Sequence, residues 1–371
     1  MPFLDFNLQL NKSTIAKWLF LRCLSAVYSV LINCWLYLYR SGIRKGYKPD
    51  KPVISVGNIT IGGTGKTPMI DWLLNFSDQS NLRASVLTRG YRSEKTDSII
   101  LLDSSSKEKL PRNQFGDEPW LLHERHPHVP VYIGADRVNS ARLAEKKADI
   151  LLLDDGMQHL KLERDINIVL IDSLAGTGNG KMFPLGPLRE PMRSLKRADI
   201  LVYTRTNLKS SAEIRQKLRP YLSNDIVQFD AEFQIQSISS SKSSREESPD
   251  MLKGKKCMLF SGIGNPKSFE EIIRQHGGII VDHLVLGDHH PYDNSTIEEL
   301  NGLESQSKFD LLICTEKDWV KIEQKRDQLP EIHYLKMIVT IDPLFTETIT
   351  DLLHLREKKG MYPECYLCFK K

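Results

Sequence analysis

The stretch "ISVGNITIGGTGKTP" (residues 54–68) joins a short apolar run to a glycine-rich turn that closes on Gly65-Lys66-Thr67. Residues 53–56 are mostly β-branched and apolar, the pattern of a buried strand. After Thr67, "PMIDWLLNF" has apolar positions at helical spacing, and Pro68 suits a first helical turn. The turn therefore bridges a strand and a helix N-terminus, where outward N–H groups and the helix dipole favour an anion. Gly62, Gly63 and Gly65 allow backbone shapes barred to other residues. Together with Thr64 they form the expected nucleotide cradle. Lys66 would reach the outer phosphates, and the Thr67 hydroxyl would face Mg²⁺. The usual pattern G-x-x-x-x-G-K-[ST] has glycine where this chain has Thr60. The loop of membrane-associated partition ATPases, K-G-G-x-G-K-T, begins on a lysine where this chain has Ile61. Neither subclass fits, so the rest of the chain decides.

Downstream, "ASVLT" (84–88), "VPVYI" (129–133), "DILLLDD" (149–155), "INIVLID" (166–172) and "DILVYT" (199–204) alternate with helical patterns. Such runs predict a P-loop NTPase-like α/β domain over 49–235, its mainly parallel sheet covered on both faces. Functional groups then gather beyond the C-terminal strand ends. Polar, serine-rich residues 236–250 read as a linker. Beyond it "KKCMLFSGIGNP", "GGIIVDHLV" and "FDLLICTEKD" predict a second, smaller α/β domain over 251–371.

At 371 residues, two domains are the natural expectation. The balance of 51 basic against 47 acidic residues, net +4, is too weak to argue for nucleic acid. The six cysteines are scattered and mostly within apolar runs, as in a reducing compartment. Cys365 and Cys368 form a lone CxxC, short of a tetrahedral zinc site. Residues 1–48 are organised differently. Between Arg22 and Arg40 lie 17 uncharged residues, flanked by Lys12, Lys17, Arg44, Lys45 and Lys48, with Trp18, Trp35, Tyr37 and Tyr39 near the ends. The segment reads as a membrane-associating helix, lying in the interface or crossing the bilayer once, or else as a buried helix of the first domain.

Several constellations carry chemistry. The strand ending in Asp154-Asp155 supplies the acid that a phosphate-loop enzyme needs near Mg²⁺ or its water. Its following turn holds Gln158 and His159, the latter as well suited to a structural role as to catalysis. "GDEPW" sets Asp117 and Glu118 at a helix start, where one acid would suffice as a cap. "TRGYR", "GADR" and "GPLREP" place Arg89, Arg92, Arg137 and Arg189 in turns, as phosphate recognition requires. "LGDHHPYD" gathers Asp288, His289 and His290. "TEKDWVK" (315–321) is out of register for the guanine-reading N-K-x-D, which argues against a GTPase.

In this order, with "GNITIGGTGKTP", "GDEPWLL", "LLLDDGMQH" and "PLGPLREP", the motifs resemble the tetraacyldisaccharide 4′-kinase family, the lipid A kinases of Gram-negative bacteria. The resemblance implies that Thr60 is normal for this kind of loop. It implies ATP-dependent phosphorylation, with Mg²⁺, of the 4′-hydroxyl of an acylated glucosamine disaccharide 1-phosphate, giving lipid IVA. The expected place is the cytoplasmic face of the bacterial inner membrane, with no obligatory protein partner. By the same resemblance, Lys66 and Thr67 are the loop lysine and metal-binding threonine, and Glu118 and Asp155 the acids near the metal. Asp117 is the general base, supported by His289, and Arg137 and Arg189 lie near phosphates. Met157 and Trp319 depart from the family pattern without touching this chemistry.

Overall fold

The apolar runs become strands of one continuous sheet in a computed structural model that describes residues 12–90, 98–105, 114–243, 245–288, 290–306 and 308–358. Helix α1 (Lys12–Arg40) leads into β1 (Val53–Gly57), α2 (Lys66–Gln79), β2 (Ala84–Thr88) and β3 (Ile100–Leu102). Next come α3 (Asp117–Arg125), β4 (Val131–Ile133), α4 (Arg137–Ala144), β5 (Ile150–Asp154) and β6 (Ile166–Asp172). The first lobe ends with β7 (Ile200–Thr204), α5 (Ala212–Leu218) and β8 (Val227–Ser240). The second lobe contains β9 (Glu246–Glu247), β10 (Lys256–Ser261), α6 (Pro266–Gln275), β11 (Ile279–Val285) and α7 (Asn294–Gln306). It closes with β12 (Leu311–Thr315), α8 (Glu316–Ile322) and β13 (Ile332–Ile341), after which comes α9 (Leu344–Lys358).

The strand order is β11-β10-β12-β13-β8-β7-β6-β1-β5-β2-β4-β3, with β9 added beside β8. Pairing is parallel except at β8–β13, β3–β4 and β8–β9. β1 lies between β5 and β6, and all five of its residues are buried. Burial on both faces is why its neighbours read as unbroken apolar runs rather than alternating ones. The phosphate loop consequently leaves the sheet at its C-terminal edge, amid the ends of β2, β5, β6 and β7.

Two expectations about domain boundaries are corrected. Residues 236–240 are the end of a 14-residue strand, not the start of a linker. β8 pairs with β7 over residues 227–231 and with β13 over 231–240, so a two-stranded ribbon carries the chain between lobes. Helix α9 also departs from the expected second domain. Phe345, Ile349 and Leu353 join the buried cluster of Ile54, Leu73 and Leu152 in the first lobe, and Phe345 packs on Trp72 and Phe229. Burying such side chains contributes about 1.5–3 kcal/mol each, which ties the chain's end back to the nucleotide lobe.

Helix α1 is not a core helix. Within Trp18–Arg40 an 18-residue window has a mean hydropathy of 1.6, and only 11% of that window is buried. Leu36 and Ser25 are its buried residues among those with described side chains. Leu19, Phe20, Leu24, Val27, Val30 and Leu31 face outward. The helix is anchored at its polar positions. Ser25 Oγ donates to the Met182 carbonyl at 2.8 Å, and Tyr28 Oη donates to the Arg189 carbonyl at 3.0 Å.

Candidate active site

The phosphate loop borders a cavity of about 840 Å³ between the lobes. Gly65, in the left-handed region at φ 91°, is the N-cap of α2, and its Cα faces the Phe233 ring on β8. Gly62 also has a positive φ, of 115°. Gly63 does not, and a Cβ there would meet open space, so its own backbone does not require glycine as was expected for all three. Thr60 needs no glycine geometry: it is buried and bridged to Leu188, while the Arg189 N–H donates to the Ile59 carbonyl at 2.7 Å. That bridge ties the front of the loop to "GPLREP", a role that glycine at position 60 would fill poorly.

"GPLREP" in turn delivers Arg189, whose Nη1 donates to both Asp155 oxygens at 2.9 and 3.1 Å. Lys66 Nζ lies 3.5 Å from the same carboxylate. Asp155 itself has φ 48°, a left-handed turn at the end of β5 that aims its side chain at the loop. Burial alone would raise its pKa, but Lys66, Arg189 and Arg137 hold it below the ordinary carboxylate value. Two cations converging on one carboxylate beside a phosphate loop form a ready clamp for a polyphosphate.

Asp154 is the opposite case. It is 6% exposed, and burial, then Glu118 and Asp155, push its pKa up to about 7. The Thr88 hydroxyl donates to Oδ2 at 3.0 Å, while Oδ1 is buried with no hydrogen-bond partner. Thr67, Glu118 and Asp155 line the same cavity, so the side chains a Mg²⁺ ion would meet there offer oxygen. Among the described residues no three carboxylates, histidines or cysteines are gathered closely enough to hold a metal by themselves.

Glu118 accepts from Lys317 Nζ of α8 at 3.0 Å, and Asp117 Oδ2 lies 3.6 Å from Lys321 Nζ. The residue before them, Gly116, is the N-cap, so both acids lie inside the first turn and neither is a cap. Arg137 and Arg89 line the cavity. His159 does not: its Nδ1 accepts from Arg137 Nη2 at 3.0 Å, and burial and Arg137 depress its pKa to about 3. A neutral ring that orients an arginine is thus its role here. His290 is turned onto Thr296, 2.8 Å away. His289, Arg92 and the Cys365–Cys368 pair lie outside the described residues.

Sequence reading missed three contributors. Arg205, at φ 59° just after β7, donates to the Gly63 carbonyl at 3.0 Å, pairs with Asp172 at 2.8 Å and stacks on Phe233. Its position at a strand end, in "VYTRTN", was the available signal. Phe233 was hidden by its distance from the loop in sequence. Lys317 was read only as a failed guanine motif. Beyond the polar groups, Leu121, Ile263, Phe269 and Ile272 add apolar side chains to the cavity lining.

With this geometry in view, comparison with known proteins is direct. Residues 17–354 match the family described as tetraacyldisaccharide-1-P 4′-kinase. The tetraacyldisaccharide 4′-kinase of Bdellovibrio bacteriovorus is 34% identical over 308 residues, 82% of this chain and 89% of that one. That of Geobacter metallireducens is 33% identical over 334 residues, 89% of this chain and 96% of that one. A solved structure of LpxK from Aquifex aeolicus in complex with ATP superposes with a TM-score of 0.71 at 27% identity, covering 91% of this chain and 98% of that one. The chain belongs to the tetraacyldisaccharide-1-P 4′-kinase family.

Proposed function

We propose that this protein transfers the γ-phosphoryl group of ATP to the 4′-hydroxyl of a tetraacylated glucosamine disaccharide 1-phosphate, the step that gives lipid IVA. One observation carries the reading beyond family membership: a single cavity is lined both by the phosphate loop and by Tyr28 of the apolar helix α1. ATP and a lipid-anchored acceptor thereby reach the same space. Phe183, packed edge-on against Tyr28, extends the apolar wall outward.

Mg²⁺ would be held by the Thr67 hydroxyl with Glu118 and the Asp154-Asp155 pair, and it would neutralise charge on the β- and γ-phosphates. The loop amides and Gly65 seat the phosphates. Lys66 and Arg189 hold the outer oxygens in line and favour charge as it develops there. Asp117, at the positive end of α3, takes the proton of the acceptor hydroxyl, with His289 as its support. Arg137, fixed by His159, and Arg89 add positive potential to the cavity rim. Residues 49–235 hold the nucleotide, and the β10–β13 lobe closes over it.

The outward apolar face of α1 belongs at a membrane surface, since a soluble surface rarely leaves so wide an apolar patch in water. Dependence on ATP favours the cytoplasmic side for that surface. Turnover of ATP with and without detergent-dispersed acylated disaccharide tests the reading. Lipid-dependent turnover is expected. Turnover that ignores the lipid would favour a membrane-associated ATPase switch.

A further inference from the structure

The segment "TEKDWVK" (315–321) sends three charged side chains across the gap between the lobes. Lys321 meets Asp117, Lys317 meets Glu118, and Glu316 meets Arg125, in opposite order along α8 and α3. The far end of α3 is held hard: Arg125 also pairs with Asp71 of α2 at 2.9 Å and donates to the Met337 carbonyl at 3.1 Å. The near end, with both acids, packs into the first lobe through Phe115 and Trp120 and is met from α8 by the two lysines.

The start of α8 is built to present them. Thr315 caps the helix through the Asp318 N–H, and fully buried Asp318 accepts from the Gly262 N–H at 3.0 Å and the Thr315 hydroxyl at 2.6 Å. Lys317 therefore leaves a rigid turn. Its side chain is 19% exposed, with Nζ 3.0 Å from Glu118 and 3.8 Å from Asp288, and all three line the cavity. Asp288 belongs to the turn beside Gly264, and Gly264 packs against the Gly63 amide of the phosphate loop.

Glu118 lines the cavity together with the carboxylates of Asp154, Asp155 and Asp288. The cation 3.0 Å from it, Lys317, comes from the other lobe. Resting on the phosphoryl-transfer reading above, we propose that Lys317 is a positioning residue. Through it the second lobe holds Glu118, and with it the α3 turn bearing Asp117, in the working orientation when the lobes are together. Domain closure and alignment of the acid pair are then one event rather than two.

The test uses the full-length protein and the variants Lys317→Met, Lys317→Arg and Lys317→Gln, each with and without Glu118→Gln. Hydrogen exchange of the α3 amides, measured without substrates, should rise about tenfold in Lys317→Met and stay near wild type in Lys317→Arg. In steady-state kinetics Lys317→Met should lower kcat about ten- to a hundredfold, with the ATP KM within about threefold, and Lys317→Arg should recover most of the loss. On the Glu118→Gln background the same substitution should cost less than about twofold, because the pair acts as a unit. A full loss on that background, a loss confined to the ATP KM, or unchanged exchange would overturn the proposal. Lys317→Gln carries the same comparisons if Lys317→Met does not fold. A wild-type protein that ignores the acylated disaccharide would count against the kinase reading, whereas the exchange comparison judges Lys317 by itself.

Discussion

Replacing Gly65 with alanine adds one methyl group where the phosphate loop turns into α2. At φ 91° any L side chain is strained, at about 1–2 kcal/mol. The added Cβ would sit 2.6 Å from Phe233 Cε2 and nearer still to Cζ. Phe233 is 4% exposed and has Arg205 stacked on it, so the ring has little room to move. Overpacking of this kind costs roughly 1–3 kcal/mol more. The sum, about 2–5 kcal/mol, falls on the segment that presents its amides to the phosphates. Weakened ATP affinity of roughly thirtyfold to several thousandfold follows if the loop distorts to relieve it. Calorimetric titration of ATP into the full-length variant, beside a thermal melt, reads both outlets. Adding Phe233→Ala should restore about tenfold or more, since only the backbone strain then remains. ATP affinity within about twofold of wild type and an unchanged Tm, or a double variant no better than the single, would refute the steric argument.

Lys66→Ala and Arg189→Ala should each lower kcat about a hundred- to a thousandfold at saturating ATP, and less than additively together, because both bind Asp155. Near-normal rates would contradict the clamp. Asp154, raised to about 7, keeps in the folded protein a proton that the unfolded chain, titrating near 3.8, has lost. Its stabilisation is complete below about pH 4 and is lost as pH rises through about 7, so Asp154→Asn should gain stability relative to wild type over that range. Urea midpoints whose difference stays constant between about pH 5 and about pH 7.5 would contradict it. Phe20→Glu with Leu31→Glu, both on the exposed face of α1, should abolish co-flotation with anionic vesicles while ATP affinity stays intact. Flotation equal to wild type would assign membrane contact elsewhere.

The phosphate loop, the strand ending in Asp154-Asp155 and the helix opening on Asp117-Glu118 were legible because each is local: a strand, a turn and a helix start carry their own signals. β8 was legible too. Phe229, Ala231, Phe233 and Ile235 alternate with polar residues, and the observed burial alternates with them. The serines beyond Ile235 hid its continuation to Ser240, although Ser237 and Ser239 are buried there. The return of α9 to the first lobe was not legible, since nothing in its own pattern names the surface it covers. Asp155 was expected as a metal ligand, yet its neighbour Asp154 carries the unpartnered buried oxygen. That distinction depends on where Thr88, Lys66 and Arg189 converge, which no spacing along the chain records. Lys317 and Arg205 act across the fold on groups far away in sequence, and were missed for the same reason.

Mass spectrometry of the lipid product tests the central claim most directly, with Asp117→Asn run beside the wild type at saturating ATP and Mg²⁺. The wild type should convert tetraacyldisaccharide 1-phosphate to a species heavier by one phosphoryl group, with fragmentation placing it at the 4′ position. Asp117→Asn should bind ATP normally yet form that product about a hundred- to ten-thousandfold more slowly. No phosphorylated disaccharide from the wild type would contradict the assigned reaction. A normal bound-state rate with lost ATP affinity in Asp117→Asn would make Asp117 a nucleotide-site ligand and place the base elsewhere.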